Sequence, residues 1–246
     1  MNYLDFNEIN NWLSQEPELT YTLRQQLFFE QLGTGTKILY RPNALVMTDW
    51  ALRFYGEADD LDQLLAQLPS QKKYHFFGVP VDNLPQVEKH FQDIEIEEDC
   101  GVYTLVKEDF AAHQVETLDS LTQADAEFVN EHWTYRSDDS LPFFQDIINR
   151  FPSSAIRVDG QLAGWSVCYN ATDDFVNLGS LKVLPQYRKR GFGRKLALDL
   201  AAKVLETGKI PLVHILDDNI ASRTLSTGIG FKLHPKKIFW GVGIKR

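Results

Sequence analysis

LPQYRKRGFGRKL, residues 184–196, is the most informative stretch of the chain. It follows an apolar run, Phe175–Leu184, that predicts a β-strand, and it leads into a helical pattern over Gly193–Thr207. Glycines allow a ligand to approach the backbone, and the N-terminus of a helix attracts anions through free N–H groups and its dipole. Five basic residues add positive charge: Arg188, Lys189, Arg190, Arg194 and Lys195. The stretch therefore predicts a phosphate-binding loop; the alternative is an ordinary turn with a solvated basic face.

Other well-known site motifs do not fit the sequence. Leu196 stands where G-x-G-x-x-G requires its third glycine, and the sequence has no G-x-x-x-x-G-K-[ST]. It also lacks the G-x-S-x-G and H-E-x-x-H motifs. The two cysteines, Cys100 and Cys168, lie too far apart for a paired metal signature and suggest a reducing compartment. We expect no metal site.

The elements around the loop predict the order β-α-α-β-β-β-α-β-α-β for the second half of the chain. Asp159-Gly160 between two apolar runs is a strong hairpin signal, and Thr122 with Asp125 forms a variant of the helix capping box. The predicted elements are Val115–Leu118, Thr122 to about Trp133, Ser140 to about Phe151, Ala155–Val158, Leu162–Tyr169, Phe175–Leu184, Gly193–Thr207, Leu212–Leu216, Ile220–Thr227 and Phe231–Ile244.

The first half also alternates strand and helix patterns, but no loop in it carries a chemical motif. Leu19, Leu23 and Leu27 predict a first helix. Further strands and helices are predicted at 37–40, 44–48, 52–55, 60–68, 74–79, 85–91 and 102–107. We expect Glu95–Asp99 to form a solvated acidic loop and 108–114 a connector. These patterns predict an α/β N-terminal domain, 1–110, of unknown role, followed by a second domain, 115–246.

Charge and composition limit the partners. The formal net charge is -9, with 19 acids and 8 bases in residues 1–115 and 15 acids and 17 bases beyond them. An acidic first half argues against non-specific nucleic-acid binding by the whole chain. No apolar run approaches the roughly 20 residues of a membrane helix, and no signal-peptide pattern opens the chain. We therefore expect a cytoplasmic protein without a membrane partner; its oligomeric state is not indicated.

Residues 115–246 resemble the GCN5-related N-acetyltransferases, the GNAT superfamily. The pyrophosphate loop of that family reads [Arg/Gln]-x-x-Gly-x-[Gly/Ala], which Arg188, Gly191 and Gly193 match. The family continues with a strand, an Asn and a short helix ending in Gly-Phe; the matching residues are Asn219, Ser222, Leu225, Gly230 and Phe231. The resemblance implies an α/β fold, with a mixed sheet and flanking helices preceded by a smaller α/β domain, and acetyl-CoA or another acyl-CoA as co-substrate.

A narrower set of residues resembles the glycine N-acyltransferase-like branch of that superfamily. The matching residues are Phe128-Val129-Asn130, Trp133, Phe151-Pro152, Gly164-Trp165, Leu184-Pro185, Tyr187-Arg188 and His214. Several of these residues equally suit core packing. That branch also carries an α/β N-terminal domain, as the first half of this chain suggests.

The family resemblance implies that the acyl-CoA lies between the strand ending at Val183 and the strand Leu212–Leu216. Backbone N–H groups near Leu181 and Val183 would hold the pantetheine arm and polarise the thioester carbonyl. The expected cofactor-binding residues are Leu181, Val183, Arg188, Lys189, Arg190, Gly191, Phe192, Gly193, Arg194, Asn219 and Ser222.

Two catalytic positions depart from the family's pattern. Many relatives place a Glu base six residues before the position of Val183, where this chain has Asn177. Many place a Tyr donor seven residues after the motif Asn, where it has Ser226. An amide can hold a water but accepts no proton usefully, whereas a hydroxyl can donate to a departing thiolate. His214 is the remaining titratable candidate, although a lone strand His is more often a packing residue.

Trp133 and Arg136 lie where relatives shape the acceptor pocket. Arg136 suits an acceptor carboxylate, whereas a Trp at the position of Trp133 is more often a packing residue than a recognition residue. The sequence thus predicts an acyl-CoA-dependent N-acyltransferase that moves an acetyl or other short acyl group to a primary amine of a small molecule or amino acid. Two alternatives stay open. The departures at Asn177 and Ser226 favour a non-catalytic acyl-CoA sensor, and the acidic first half suits a protein-lysine acetyltransferase with a basic substrate.

Overall fold

The computed structural model describes residues 5–138 and 140–246. It divides into two units that interleave along the sequence. Unit 1 comprises the described residues up to Val102 together with His214–Asn219 and Leu233–Arg246, and unit 2 comprises Tyr103–Val213 and Ile220–Lys232. The contiguous boundaries predicted from the sequence, 1–110 and 115–246, stay a prediction.

Unit 1 is a mixed sheet with helices. Its helices are α1 (Phe6–Leu13), α2 (Tyr21–Arg24) with a π-helical turn at Gln25–Phe29, α3 (Ala58–Leu65) and α4 (Leu84–His90). Its strands are β1 (Lys37–Arg41), β2 (Ala44–Thr48), β3 (Leu52–Gly56), β4 (Lys73–Pro80), β5 (Phe91–Thr104) and β10 (Lys232–Lys245). They are ordered β1-β2-β3-β4-β10-β5. β4 pairs antiparallel with β10, from Ile238↔Pro80 to Ile244↔Lys73.

Both faces of the unit 1 sheet are covered by apolar side chains. Alternate residues of a strand point to opposite faces. In β2, Ala44 and Val46 join the cluster that contains α3 and α4, whereas Leu45 and Met47 join the cluster of α1 and α2. This two-sided burial explains why β2 is an uninterrupted apolar run.

Unit 2 contains four neighbouring strands and the remaining helices. The helices are α5 (Lys107–Phe110), α6 (Ala126–Glu131), α7 (Ser140–Arg150), α8 (Phe192–Glu206) and α9 (Ile220–Gly228). The strands are β6 (Ser153–Val158), β7 (Gln161–Ala171), β8 (Phe175–Val183) and β9 (Ile210–Leu216), in the order β9-β8-β7-β6. The end of β9, from His214, belongs to unit 1.

Helices cover both faces of the unit 2 sheet. Trp165 of β7 lies in a core with Phe144 and Ile147 of α7, whereas Cys168 of β7 packs with Leu200 of α8. The predicted hairpin turn is confirmed, because Asp159 and Gly160 have φ angles of 50° and 78°. The mixed α/β class predicted from the sequence is correct.

Two local predictions were wrong. Glu95–Asp99 lies within β5 and not in a loop, because β5 pairs with β10. The side chains of Glu95, Glu97 and Asp99 are exposed along the strand. Val115–Leu118 is not a strand of the sheet. Its end is held by a hydrogen bond from Leu118 N to Asp199 Oδ1 (3.0 Å) and by an isolated bridge, Asp119↔Ala155.

Candidate cofactor-binding site

Strand β8 presents an open edge in unit 2. It pairs with β7 over most of its length, but its parallel pairing with β9 consists of Phe175↔Ile210, Val176↔Pro211 and Asn177↔Leu212. Beyond Asn177, the ladder described for β8 is with β7 alone. The free edge of residues 178–183 therefore offers backbone amide and carbonyl groups to a ligand.

A β-bulge lies in the middle of this edge. Between Val167↔Gly179 and Trp165↔Lys182, β7 advances by two residues and β8 by three. Ser180 has a φ of 43°, in the left-handed region. Bulges of this kind redirect backbone and side-chain groups and are frequent next to active sites.

The ring of Tyr169 lies against Gly179, the residue before the bulge, and explains why this position is a glycine. A Cβ on Gly179 would lie 2.1 Å from Cε2 of Tyr169, so only glycine permits this approach. The phenol oxygen accepts hydrogen bonds from Trp133 and from the hydroxyl and backbone N–H of Ser180. Burial raises the pKa of Tyr169 above its ordinary value, against the smaller opposing effect of these bonds. Tyr169 thus holds the bulge in place as a protonated phenol at neutral pH.

The segment after β8 forms the predicted loop at the N-terminus of α8. Lys189 and Gly191 have left-handed φ angles of 63° and 77°. Gly191 is the N-cap of the 15-residue helix, and no side chain caps its first amides. The first-turn N–H groups of a helix lack intrahelical acceptors, and left-handed turns collect such groups into an anion-binding concavity. A Cβ on Gly191 would have no heavy atom within 4 Å, so the space above the loop is open.

The five basic residues of the stretch divide into two groups. Arg188, Lys189 and Arg190 stay at the loop: Arg188 Nε donates to Val183 O (3.1 Å), and the Arg190 guanidinium lies 5.5 Å from the ring centre of Tyr187. Arg194 instead donates to Gly228 O at 3.0 Å, and Lys195 pairs with Glu116 at 2.7 Å. The positive charge at the loop itself therefore comes chiefly from residues 188–190.

Several predicted residues lie close together around the loop. The hydrogen bond from Arg188 attaches the loop to Val183. A Cβ added to Gly193 would lie 3.9 Å from Leu181 Cδ2, so the start of α8 is close to the side chain of Leu181. Arg194 joins α8 to the end of α9, the helix that carries Ser222 and Ser226. Both serines are half-buried. Phe192 is the first residue of α8.

Two other predicted residues belong to unit 1. His214 lies between two rings, 6.0 Å from Tyr21 and 5.7 Å from Trp240. Its Nε2 is buried and has no hydrogen-bond partner among the described residues. Burial lowers the pKa of His214 from 6.5 to about 4. Asn219 is exposed, and its backbone N–H donates to Leu216 O at 3.0 Å.

The remaining predicted residues have different environments. Asn177 is half-buried at the last β8–β9 pair. Trp133 packs edge-on against Phe144, with ring centres 5.3 Å apart, and bonds to Tyr169, so it supports the core and the bulge together. Arg136 is exposed and forms no ion pair within residues 5–138 and 140–246.

Sequence reasoning missed the group formed by Tyr169, Gly179 and Ser180. A signal was present, because a glycine inside a strand pattern often marks a bulge or a close approach of another group. The identity of the approaching ring could not be read from the sequence.

Neither a membrane span nor a metal cluster is found in the described part of the chain. None of its helices is long and apolar enough to cross a membrane. No group of three or more His, Cys, Asp and Glu side chains there is arranged to hold a metal ion.

Comparison with known proteins agrees with this architecture. Residues 157–240 match the family model described as FR47-like protein. A Drosophila protein is 20% identical and has a TM-score of 0.64, with 96% of this chain and 88% of that chain covered. A GCN5-related N-acetyltransferase from Sphaerobacter thermophilus is 14% identical, with a TM-score of 0.63 and coverages of 97% and 92%. A GNAT-family acetyltransferase from Colwellia psychrerythraea is 11% identical, with a TM-score of 0.61 and coverages of 96% and 97%.

These similarities establish the fold. The protein has the mixed α/β fold of GNAT acetyltransferases, as the sequence motifs indicated. The narrower resemblance to the glycine N-acyltransferase-like branch stays a prediction.

Proposed function

We propose that the protein transfers an acetyl or other short acyl group from CoA to a primary amine of a small molecule or amino acid. One observation carries this proposal: the open, bulged edge of β8 leads directly into a basic, left-handed loop at an uncapped helix N-terminus. An extended amide-bearing edge followed by an anion site suits a long thioester with a pyrophosphate at one end.

The residues of unit 2 have separate tasks in this proposal. The amides of residues 188–193 hold the pyrophosphate, and the side chains of Arg188, Lys189 and Arg190 add positive charge. Amides at Leu181 and Val183 hold the pantetheine arm, and one of them polarises the thioester carbonyl. Asn219 and Ser222 complete the cofactor set that the family resemblance implies.

The chemistry requires three proton movements. The acceptor ammonium loses one proton before its nitrogen attacks the thioester carbon, and the nitrogen loses a second proton as the C–S bond breaks. The departing thiolate takes up one proton, so the reaction releases one proton in total. Asn177 can hold a water that carries the first proton away, and the Ser226 hydroxyl can donate towards the thiolate. His214, with a pKa of about 4, is neutral at pH 7 and a weak base. Trp133 and Arg136 are the proposed acceptor residues.

A binding protein without turnover is the second candidate. Asn177 occupies the place of an acid that could accept the amine proton, and the low pKa of His214 makes it a poor substitute. Such a protein would bind acyl-CoA through the same loop and release no CoA. The two candidates therefore share the loop and differ in turnover.

The first test is calorimetric titration of acetyl-CoA and CoA into the wild type, Gly191→Asp and Gly160→Asp. Gly191→Asp adds negative charge where the pyrophosphate would bind, and we expect affinity to fall at least about tenfold, or about 1.4 kcal/mol. Gly160→Asp is the matched control: its φ is 78° against 77° for Gly191, and neither site has a heavy atom within 4 Å of an added Cβ.

The result separates the possibilities. Equal affinities in the two variants, or no binding of acetyl-CoA and longer acyl-CoAs to the wild type, would overturn the loop assignment. If binding is lost in Gly191→Asp alone, free thiol release with a panel of amines, including glycine and a lysine peptide, tests turnover. Binding without thiol release across the panel would establish the binding protein instead.

A further inference from the structure

Unit 1 contains a cavity that the acyltransferase proposal does not use. Its volume is about 220 Å³, the space of roughly seven water molecules. Its wall includes Trp12, Tyr55, Glu57, Asp82, Asn83 and Lys236. Asn83 is buried, whereas Glu57 and Asp82 are exposed, so the cavity has a closed floor and an open acidic rim.

The floor of the cavity holds an unused hydrogen-bond acceptor. A Cβ on Gly56 would lie 2.2 Å from Asn43 O, so glycine allows the close approach of the two backbones at the end of the β2–β3 pair where Ala44 faces Gly56. Asn83 Nδ2 donates to Gly56 O at 3.1 Å, which fixes the orientation of the amide. Asn83 Oδ1 is buried and has no partner among the described residues. A buried oxygen of this kind is stabilised by a ligand that brings an N–H donor.

The charges around the cavity favour a cation. Glu16, Glu57 and Asp82 supply three negative charges and Lys236 one positive charge, so these four side chains carry a net charge of -2. Lys236 Nζ lies 3.4 Å from Glu16 Oε1 and 3.3 Å from Asp82 Oδ2. Both distances exceed the usual 2.7–2.9 Å of charge-assisted bonds. The excess of acids disfavours an anion such as a phosphate.

Two aromatic rings line the same cavity. The rings of Trp12 and Tyr55 have centroids 5.5 Å apart and an interplanar angle of 48°. The faces of Trp and Tyr attract ammonium groups and also accept the apolar part of an organic ligand. Burial raises the pKa of the Tyr55 phenol, with a further rise from Glu16, so the phenol is protonated at neutral pH.

We infer that this cavity binds a small organic ammonium ion. The ammonium donates to Asn83 Oδ1 and is neutralised by Glu57 and Asp82, while its alkyl part lies against Trp12 and Tyr55. The site shares no residue with the acceptor residues proposed in unit 2, and it needs neither CoA nor turnover. The two aromatic rings can also pack against the alkyl part of an organic amine, and a metal ion has no such part.

The test uses the full chain without CoA. Butylammonium and 1,4-diaminobutane are titrated at constant ionic strength, with 1-butanol as the neutral comparison, and binding is followed by calorimetry and by the thermal unfolding midpoint. We expect saturable binding of one amine per chain and none of 1-butanol. Glu57→Gln should weaken the amine affinity by about fivefold, the order expected for one partly exposed ion pair.

Glu88→Gln is the matched control, because it removes the same charge from an exposed residue of α4 outside the cavity wall. Its amine affinity should equal that of the wild type. Asn83→Leu should abolish amine binding. Because Asn83 also donates to Gly56 O, this variant can misfold, and in that event Glu57→Gln is the decisive variant. The inference is overturned if the amines do not saturate, if 1-butanol binds equally, or if both Gln variants behave alike. Amine binding unaffected by Glu57→Gln would place the ligand elsewhere and would also overturn it.

Discussion

At the scale of single residues, His214 shows how burial decides what a side chain can do. The sequence places it on a strand next to the expected cleft, where a base would be useful. The structure places its half-buried ring next to Tyr21 and Trp240 and leaves Nε2 buried without a partner among the described residues. The neutral imidazole is stable there, whereas the charged form is not. His214 is therefore a weaker candidate base than its position in the sequence suggests.

The depressed pKa of His214 predicts an acid-sensitive stability. With a pKa of about 4 in the folded state and 6.5 as the reference, the unfolded state binds the additional proton between these values. The contribution is complete above pH 6.5, declines as the pH falls from 6.5 towards 4 and is constant below that. Its size is at most about 3 kcal/mol.

Denaturant unfolding of the wild type and of His214→Phe between pH 4 and 7 measures this contribution. Phe suits the two neighbouring rings and does not titrate. The wild type alone should therefore lose the His214 contribution, so its unfolding free energy should fall relative to that of His214→Phe as the pH is lowered. A difference that is independent of pH would show that His214 titrates normally. Thiol release by His214→Phe at pH 7 should then stay near that of the wild type.

At the scale of secondary structure elements, a buried polar network attaches α8 to its neighbours in unit 2. Asp199 is 3% exposed at its side chain and accepts from Lys203 Nζ (2.7 Å), Ser154 Oγ (2.5 Å) and Leu118 N (3.0 Å). Lys203 Nζ also donates to the carbonyls of Leu118 and Ser153. This network attaches α8 to β6 and to the extended segment before α6. It replaces the regular strand pairing predicted for Val115–Leu118.

Removal of Asp199 should therefore be costly. Asp199→Ala leaves the Lys203 ammonium and the Leu118 amide without their partner, and we expect a loss of about 3–5 kcal/mol of unfolding free energy. Asp146→Ala is the matched control, because Asp146 also pairs with a cation four residues on, Arg150, at 2.8 Å but on an exposed surface. It should lose less than about 1 kcal/mol. Equal losses in urea unfolding would show that the Asp199 network contributes no more than a surface pair.

At the scale of the whole molecule, the two units do not follow the order of the chain. β10 comes last in sequence but pairs with β4 of unit 1, and Phe239 of β10 lies in the core of α3 and α4. Its side chain is 1% exposed, and that of Val242 is 6% exposed. Interleaved units predict that a fragment of the second half alone does not fold, whereas contiguous domains predict that it does.

A fragment of residues 111–246 provides the test. It contains the whole GNAT-like stretch but lacks β4, so Ile238, Phe239 and Val242 lose their cover and a long strand edge is exposed. We expect the fragment to aggregate or to lack a cooperative thermal transition in circular dichroism, whereas the full chain unfolds cooperatively. A monomeric, cooperatively folding fragment that binds acetyl-CoA would instead support the contiguous domain boundaries.

The sequence determined those features that depend on near neighbours. The Asp159-Gly160 hairpin follows from the left-handed conformations that this dipeptide tolerates, and α8 follows from its apolar period with Gly208 at its end, φ 82°. The loop at Gly191 could also be predicted from the sequence, because its glycines, its basic residues and the start of α8 lie within a few residues of one another. Turn conformation and helical periodicity depend on residues only a few positions apart, so both can be predicted from the sequence.

Only the tertiary structure decided which distant segments meet. The pairing of β10 with β4 joins residues about 160 positions apart, and nothing in either local pattern specifies the other. The same holds for Tyr169 over Gly179, for the rings around His214 and for the pairing that makes a strand of Glu95–Asp99. The contacts of β10, Tyr169 and His214 depend on burial against distant residues, and the strand at Glu95–Asp99 depends on backbone pairing with β10. Both belong to the folded whole and not to any one stretch of sequence.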